Sequence, residues 1–304
     1  MSNLKFVCPF HSCFLTLGEC CSKCGYQTKS TSGNNITFRR SGDSEGIYKS
    51  YENAYEDLAE DDLSNPIYAE EYQSDLAVET HREIGSVNGL NVAELGVGQG
   101  FLQKAFLSET PKSLLALDIA EEYIENAKKI FQTSGNSSTS FYTSVGNVEF
   151  MPFHESFDLV VATDILEHVL NLGNALVRIA SSLKTGGKFA CRVPYKEALG
   201  QYSIYNKQKY EFAHLRFFNE SMLKTQLKEV GLKPVQVYRN GFQPGRFRKV
   251  VPSFFGKNMA RLFSLAGHYG NNWYDFNRKS RTFPLRILRS IHQPLELLVI
   301  SQKV

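Results

Sequence analysis

The chain has 304 residues and a net charge of +3, and 42% of its residues are hydrophobic and 21% charged. This is the ordinary composition of a soluble globular protein, with room for one sizeable α/β domain and smaller additions. No segment approaches the roughly 18 consecutive apolar residues that a membrane-spanning helix needs, and the N-terminus lacks the pattern of a secretory signal. We therefore expect a cytoplasmic protein.

The N-terminal segment, residues 1–28, is rich in cysteine, because five of the six cysteines lie between Cys8 and Cys24. In a cytoplasmic chain such clustering favours a metal site over disulfides. Cys21-x-x-Cys24-Gly is a strong zinc half-site, since its turn directs two thiolates at one ion. Cys8-x-x-His11 has the same spacing and is the preferred second half.

The preferred zinc ligands are thus two pairs with equal spacing: Cys8, His11, Cys21 and Cys24. Such a set would fill a tetrahedral zinc ion and leave no open position, so the predicted zinc-ribbon-like site is structural. Cys13 and Cys20 are then spare, and either could replace a preferred ligand. The alternative is a reduced cysteine-rich tail without metal.

Residues 29–85 are interpreted as an acidic linker followed by N-terminal helices. The polar stretch Lys29–Asn35 is the predicted linker, and Ala69–Ile84 is a predicted helix. Within residues 41–80 there are twelve acidic side chains and one basic side chain. The segment 241–304 has the opposite character, with eleven basic and two acidic side chains.

Residues 86–240 alternate short apolar strands with helical patterns, which is typical of a mostly parallel sheet. The predicted strands are Asn91–Leu95, Ser113–Asp118, Ser140–Thr143, Phe157–Thr163, Lys188–Val193, Lys233–Arg239 and, near the C-terminus, Leu295–Ser301. The predicted helices are one that begins at Phe101 and three that cover about 120–132, 173–183 and 219–230.

A glycine-rich turn, Gly96-Val-Gly98-Gln-Gly100, joins the first of these strands to its helix. Glycines there allow a tight turn and the close approach of a ligand. The G-x-G-x-G spacing differs from the G-x-G-x-x-G of dinucleotide sites. Glu94 would repel a pyrophosphate but suits a ligand with a cationic sulfonium and an amino group. Asp118, at the end of the second strand, can accept hydrogen bonds from both hydroxyls of a ribose.

In these features the chain resembles the small-molecule and carbohydrate branch of the class I S-adenosylmethionine-dependent methyltransferase family. The segments that carry the resemblance are Glu94–Gly100, Leu115–Ile119, Phe157–Val169 and Leu183–Phe189. The resemblance implies a doubly wound, Rossmann-like α/β fold with a seven-stranded, mostly parallel sheet and an antiparallel last strand. It also implies that S-adenosylmethionine lies across the carboxyl ends of the first strands. A zinc ribbon before such a domain loosely resembles bacterial enzymes of surface-polysaccharide and natural-product pathways.

Carried over by position, the resemblance implies a set of cofactor-binding residues: Glu94, Gly96, Gly98, Gly100, Asp118, Ile119, Asn147 and Asp164. Glu94 and the glycines would line the methionine moiety, Asp118 would hold the ribose, and Ile119 would lie against the adenine. Asn147 stands where the family usually has an aspartate facing the adenine amino group, and its side chain can still accept a hydrogen bond. Asp164 would face the methionine end or, alternatively, cap a helix.

Two histidines are candidates for catalysis. Methyl transfer from a sulfonium is an in-line displacement, so positioning supplies most of the catalysis, and a general base helps when a hydroxyl acceptor must lose a proton. His168 could be that base or a packed histidine. His214 lies in a loop where similar sequences carry a histidine close to the acceptor, with Arg216 available to pair with an acidic substrate group. Both could instead support the next helix.

The basic and aromatic segment 241–292 is predicted to be a helical insertion that caps the acceptor pocket. It could hold an anionic acceptor such as a nucleotide sugar or a lipid-linked sugar, contact an acidic membrane surface, or balance the acidic segment within the chain or across a homodimer. No recognised nucleic-acid-binding motif accompanies it, so we do not expect a nucleic acid partner.

The sequence therefore predicts a methyltransferase that modifies an oxygen or nitrogen of a small molecule, such as a sugar or a polysaccharide or natural-product precursor. The competing hypothesis is a non-catalytic binding or scaffold protein of the same fold, whose zinc ribbon serves a partner. A nicotinamide-dependent dehydrogenase is disfavoured by the glycine spacing.

Overall fold

The structure, a computed structural model, describes residues 4–31, 34–39, 46–66, 70–195, 212, 214–244 and 292–304. Its strands are β1 (Lys5–Val7), β2 (Phe14–Leu15), β3 (Gln27–Thr31), β4 (Asn35–Arg39), β5 (Asn91–Leu95), β6 (Ser113–Asp118), β7 (Ser140–Val145), β8 (Phe153–His154), β9 (Phe157–Thr163), β10 (Leu183–Pro194), β11 (Leu232–Pro244) and β12 (His292–Lys303). Its helices are α1 (Ile47–Ser64), α2 (Glu70–Ile84), α3 (Phe101–Leu107), α4 (Glu121–Ser134), α5 (Leu172–Ser182) and α6 (Glu220–Glu229), with a short 3-10 turn at Val148–Phe150.

Nine of these strands form one sheet in the order β11-β12-β10-β9-β5-β6-β7-β4-β3. The pairs β5–β6, β6–β7, β5–β9 and β9–β10 are parallel, and β12 is antiparallel to both β10 and β11. The chain order reverses at β5, which has β6 on one side and β9 on the other. The predicted Rossmann-like fold is thus confirmed, and ligands of such sheets bind where the order reverses.

Helices cover both faces of this sheet because its central strands are apolar on both sides. Along β5, Ala93 and Leu95 belong to a core cluster that includes α5 and α6, whereas Val92 packs in a second cluster with α2 and α3. All five residues of β5 are buried. A strand buried on both faces holds its carboxyl end in place, and this is the end that the glycine-rich turn follows.

Two N-terminal strands extend the sheet beyond the predicted seven. β3 and β4 are antiparallel to each other, and β4 runs parallel to β7 with Asn35 opposite Thr143. The prediction of a linker at Lys29–Asn35 is therefore wrong. Polar residues suit this hairpin because it lies at the edge of the sheet, where one side of each strand faces solvent.

The N-terminal segment also packs against the turn that follows β7. β1 pairs with β2 and β8 in a separate three-stranded sheet. The Tyr26 hydroxyl donates to the Phe150 carbonyl at 2.8 Å. The Phe38 ring lies so near Gly146 that a Cβ there would stand 2.6 Å from it. Residues 4–39 are therefore joined to the core at several points rather than attached by a tether.

The other predicted elements are present with shifted ends. β7, β10, β11 and β12 are longer than their predicted cores, and the helices differ from prediction by one or two residues at their ends. The predicted insertion 241–292 lies outside the described residues, apart from 241–244 and 292, which belong to β11 and β12. Within the described ranges, no helix is long and apolar enough to cross a membrane.

Candidate functional site

A cavity of about 1230 Å³ opens at the carboxyl ends of β5, β6 and β9, beneath α1. Its lining includes every residue that the sequence assigned to cofactor binding: Glu94, Gly96, Gly98, Gly100, Asp118, Ile119, Asn147 and Asp164. Both candidate catalytic histidines, His168 and His214, line the same cavity. Residues from five separate parts of the chain are thus brought to one place, at the reversal point of the sheet.

The glycine-rich turn has a backbone that side chains disfavour. Gly96, Gly98 and Gly100 have φ values of 70°, 50° and 78°, in the left-handed region. A Cβ on Gly96 would overlap the side chain of Ile165, and one on Gly100 would overlap that of Ile130. No atom lies within 4 Å of a Cβ on Gly98. The outer glycines thus permit close packing, and the middle one leaves space on the cavity side.

Glu94 is a buried carboxyl at the end of β5, with 2% of its surface exposed. Its Oε2 has no hydrogen-bond partner among the described residues. Burial and the nearby charge of Asp118 raise the pKa of Glu94 well above its usual value, although a backbone N–H of Gln103 opposes the shift. A buried carboxyl with a free oxygen is costly unless a ligand supplies a donor or a positive charge.

Asp118 holds the glycine-rich turn in place and remains able to bind a ligand. Its Oδ2 accepts a hydrogen bond from Gly98 N and its Oδ1 accepts one from Ala120 N, both at 3.1 Å. Burial raises the pKa of Asp118 to about 6, despite these backbone donors. Each oxygen keeps a second lone pair, so the pair of oxygens can still accept from two hydroxyls.

Asn147 is oriented differently from the sequence expectation. Its Oδ1 accepts a hydrogen bond from Glu149 N at 2.9 Å, which caps the 3-10 turn. Its Nδ2 is buried without a hydrogen-bond partner among the described residues. The free polar group of Asn147 is therefore its Nδ2 donor, whereas the expectation from the sequence was an acceptor.

Asp164 forms an ion pair that the sequence analysis did not find. Arg192 Nη2 and Nε both donate to Asp164 Oδ2, the second at 3.2 Å. Arg192 Nη1 also donates to Thr80 Oγ1 at 3.0 Å, so the pair ties β9 and β10 to α2. The signal for Arg192 was a cation within the otherwise apolar run 189–194. Asp164 does not cap a helix, because α5 begins later, after its cap Asn171.

The two candidate catalytic histidines are neighbours. Their ring centroids are 4.7 Å apart, with the rings nearly perpendicular at 86°. The Tyr55 ring lies 5.8 Å from that of His168, and the Tyr55 hydroxyl donates to the Phe212 carbonyl at 2.8 Å. One carboxylate oxygen of the buried Glu167 and one ring nitrogen from each of the half-buried His168 and His214 lie within 4.8 Å of one another. Such a group can share a proton or hold a cation.

Arg216 supports this arrangement from behind. Its Nη1 donates to the Leu166 carbonyl at 2.8 Å and its Nη2 to the Leu170 carbonyl at 3.3 Å. Arg216 was expected to pair with an acidic substrate group. That expectation finds no support, because these donors bind carbonyls on either side of His168. The helix α6 has its own cap, since Asn219 Oδ1 accepts from Met222 N.

Helix α1 covers the cavity, which the sequence analysis did not foresee. Tyr51, Tyr55 and Asp62 from α1 line the cavity. Asp62 Oδ2 accepts hydrogen bonds from Gln99 Nε2 at 2.8 Å and from Tyr123 Oη at 2.9 Å. Burial raises the pKa of Tyr51 and of Tyr55, so both side chains remain neutral hydrogen-bond donors. The acidic segment thus contributes directly to the site.

The four preferred metal ligands converge in the N-terminal segment. His11 Nδ1 lies 3.7 Å from Cys8 Sγ and 3.6 Å from Cys21 Sγ, and Cys24 Sγ lies 3.6 Å from Cys8 Sγ. In a tetrahedron of zinc–sulfur bonds of about 2.3 Å, the ligand atoms stand about 3.8 Å apart. The donor set therefore fits a zinc ion. Cys13 Sγ lies 3.6 Å from Cys21 Sγ, so of the two spare cysteines it is the one beside the cluster.

Comparisons with known proteins find methyltransferases similar to part of this chain. Residues 93–191 match the family model of the methyltransferase domain. A ubiquinone biosynthesis O-methyltransferase of Bradyrhizobium sp. (strain ORS 278) is 29% identical over 106 residues, which are 35% of this chain and 40% of that protein. A malonyl-[acyl-carrier protein] O-methyltransferase of Acetivibrio thermocellus is 28% identical over 109 residues, 36% of this chain and 37% of that protein. The chain thus spans about two fifths of the length of these relatives.

A solved structure extends the likeness of fold beyond this segment. A chain of the complex between the Haloferax volcanii Trm112 methyltransferase activator and a methyltransferase has a TM-score of 0.50 and 16% identity, with coverage of 83% of this chain and 96% of that chain. Residues 93–191 thus match a methyltransferase domain, and the chain shares the fold of this solved structure.

Proposed function

We propose that the chain is an S-adenosylmethionine-dependent O-methyltransferase that acts on a small-molecule acceptor. The observation that carries the proposal is the buried Glu94 carboxyl with a free oxygen, beside the glycine-rich turn and Asp118. A ligand with a cationic amino acid part and a ribose would satisfy both carboxyls in one cavity. The matched methyltransferase domain contains all three features.

The lining residues have distinct parts in holding this cofactor. Glu94 and the glycine-rich turn take the amino acid part, and Asp118 accepts from the ribose hydroxyls. Ile119 lies against the adenine, and the free Nδ2 of Asn147 donates to a ring nitrogen of that base. Asp164, held by Arg192, keeps its Oδ1 for the methionine end. When bound, the cofactor supplies an activated methyl group on a sulfonium.

His168 and His214 form the acceptor end. A hydroxyl acceptor becomes a better nucleophile when an imidazole accepts its proton, and the buried Glu167 carboxylate stabilises the imidazolium. His168 Nε2 lies 3.9 Å from Glu167 Oε1. Tyr51 and Tyr55 flank the acceptor and exclude water from it. Most of the rate then comes from holding the acceptor in line with the methyl group.

The acceptor is a neutral hydroxylated small molecule, such as a sugar or a natural-product precursor. The described wall carries several carboxylates, with Asp57, Glu60, Asp61 and Asp62 all contributed by α1. Arg192, already paired with Asp164, is its one arginine or lysine among the described residues. An anionic acceptor would depend on the basic segment 241–292, which lies outside the described residues. Membrane contact and a homodimer stay predictions for the same reason.

Calorimetric titration tests the cofactor proposal. Wild-type protein is expected to bind S-adenosylhomocysteine, and Asp118→Asn is expected to bind it at least about tenfold more weakly, because the ribose loses charged acceptors. Lys129→Gln, at an exposed position on α4, is the control. The scaffold hypothesis would replace ours if wild type showed no heat at high micromolar ligand. A rise in melting temperature with NADH, and none with S-adenosylhomocysteine, would indicate a dehydrogenase.

Methyl transfer to a panel of hydroxylated acceptors tests the reaction. His168→Gln or His214→Gln is expected to lower kcat about 100-fold, with an unchanged Kd for S-adenosylhomocysteine. The pH profile of kcat should lose its imidazole limb in the variant that removes the base. If wild type binds a divalent ion in addition to the zinc of the cysteine cluster, and His168→Gln loses only that second ion, then Glu167, His168 and His214 hold a cation instead.

We also propose that Cys8, His11, Cys21 and Cys24 hold a structural zinc ion. The support is the near-tetrahedral spacing of their donor atoms. Metal analysis should find about one zinc per chain, and Cys24→Ser should lose it, whereas Cys20→Ser, at an exposed position outside the cluster, should keep it. A wild-type chain purified with zinc in the medium but free of metal would exclude the site. Cys13→Ser decides whether the fifth sulfur takes part.

A further inference from the structure

Arg178, on α5 of the core, is a buried cation with unused donors. Its exposed fraction is 8%. Neither Nε nor Nη1 has a hydrogen-bond partner among the residues that the structure describes. An arginine cannot lose its charge to escape this situation, so a buried guanidinium requires a negative or accepting group nearby.

The surroundings of Arg178 belong to the N-terminal segment. Helix α5 lies against β8 and the 3-10 turn. β8 pairs with β1, and β1 ends at Val7, next to Cys8. The same turn accepts the hydrogen bond from Tyr26. Burial lowers the pKa of Arg178, and the charges of Tyr26 and Cys8 act in the opposite direction. These contacts place α5, which carries Arg178, on the core side of the segment that holds the metal-ligand cluster.

The proposed zinc site has a net negative charge. Three thiolates and a neutral imidazole around Zn²⁺ give a net charge of −1. Residues 4–28 supply no buried lysine or arginine of their own, because Lys5 and Lys23 are exposed. A buried anion of this kind is stabilised when a cation or N–H donors lie beside its sulfur atoms.

We propose that Arg178 is the counter-charge of the zinc site, so that a side chain of the core completes the metal site of the N-terminal segment. The inference rests on the proposed zinc site. The charge of the guanidinium balances that of the complex. Metal binding and the docking of residues 4–39 on the core are then one event, since the site gains its counter-charge only when docked.

Chelator competition on the full chain tests this inference. Arg178→Gln removes the charge, Arg178→Lys keeps it, and Arg82→Gln is the control, because Arg82 is exposed on α2. We expect Arg178→Gln to bind zinc about tenfold more weakly or worse, in the range of other outer-shell changes, and Arg82→Gln to match wild type. The rise in melting temperature on zinc addition should shrink in parallel.

Two failures of this test are distinguishable. If wild type itself binds no zinc, the zinc proposal fails and takes the inference with it. If wild type binds zinc and Arg178→Gln binds it equally well, the inference alone is wrong. Should Arg178→Gln yield no folded protein, Arg178→Lys decides. Because Arg178→Lys retains the charge, its zinc affinity should stay within about threefold of wild type. A loss of tenfold or more would show that Arg178 is not the counter-charge.

Discussion

The cofactor end of the cavity is made largely by backbone, whereas the acceptor end is made by side chains from distant segments. At the cofactor end, Asp118 is fixed by the N–H groups of Gly98 and Ala120. At the acceptor end, His168 and His214 meet through ring contacts, with Tyr55 from α1 beside them. The first arrangement tolerates little change in the main chain. The second can be altered one side chain at a time, so it is where specificity can vary on a constant cofactor site.

The largest expected effect comes from Gly96→Ala. An alanine there has an unfavourable φ of 70°, and its Cβ overlaps Ile165. The turn must move, and we expect S-adenosylhomocysteine affinity to fall by about 100-fold or more, with a lower melting temperature. Calorimetric titration and thermal unfolding measure the two effects.

Gly135→Ala is the matched control for this change. Gly135 has a similar φ of 67°, but a Cβ there has no atom within 4 Å, and it lies after α4, away from the cavity. The Gly135→Ala variant should lose about 1 kcal/mol of stability and keep its cofactor affinity. Equal losses of affinity in both variants would mean that strain alone, and not the closeness of Ile165, governs the turn.

An intermediate effect is expected from pH, through Asp118. Because burial raises its pKa from 3.8 to about 6, the folded free protein binds this proton more tightly than the unfolded chain does. Its contribution to the free energy of unfolding therefore falls as pH rises from about 4 to 6. Ribose hydroxyls need the ionised form, so affinity for S-adenosylhomocysteine should fall by up to tenfold per pH unit below 6.

The assignment of this pH effect to Asp118 requires two variants. Asp118→Asn should show weak binding without a break near pH 6. Glu94→Gln removes the other carboxyl of the site and should keep the break. If the break disappears in Glu94→Gln and persists in Asp118→Asn, the titrating group has been assigned to the wrong carboxyl.

The smallest expected effects come from two tyrosines, one at each end of the cavity. Tyr55→Phe loses the hydrogen bond to Phe212 at the acceptor end, and Tyr123→Phe loses the bond to Asp62 at the cofactor end. Each loss is worth about 1 kcal/mol. Tyr55→Phe should raise the KM for the acceptor severalfold and leave the cofactor Kd unchanged. Tyr123→Phe should raise the cofactor Kd severalfold and leave the acceptor KM unchanged. Identical changes in both variants would show that α1 acts on the two ends as one unit.

The convergence of the glycine-rich turn, Glu94 and Asp118 on one cavity could be predicted from the sequence because its signals are local. The glycine-rich turn, Glu94 and Asp118 follow apolar strands at readable spacings, and the strands themselves appear where expected. The ion pair of Arg192 with Asp164 could not be predicted, since it depends on the register of β9 against β10. The position of α1 over the cavity likewise depends on tertiary packing, because its acidic sequence gives no indication of what it covers.

The N-terminal hairpin was missed for a related reason. A polar stretch between two regions is normally a loop, and only the pairing of β4 with β7 turns it into sheet. The partner strand lies about a hundred residues further along the chain, beyond the range of any local pattern.

That long separation has a kinetic consequence. During synthesis residues 4–39 leave the ribosome before β7 and β8 do, yet Asn35 pairs with Thr143 and Phe6 with Phe153, both much later in the chain. These contacts close long loops, which is slow because chain entropy is lost before they form. This segment is therefore made before its partner strands and reaches its place only after they emerge. Until β7 and β8 emerge, its edge is exposed to other partners, so a chaperone would protect it most in that interval.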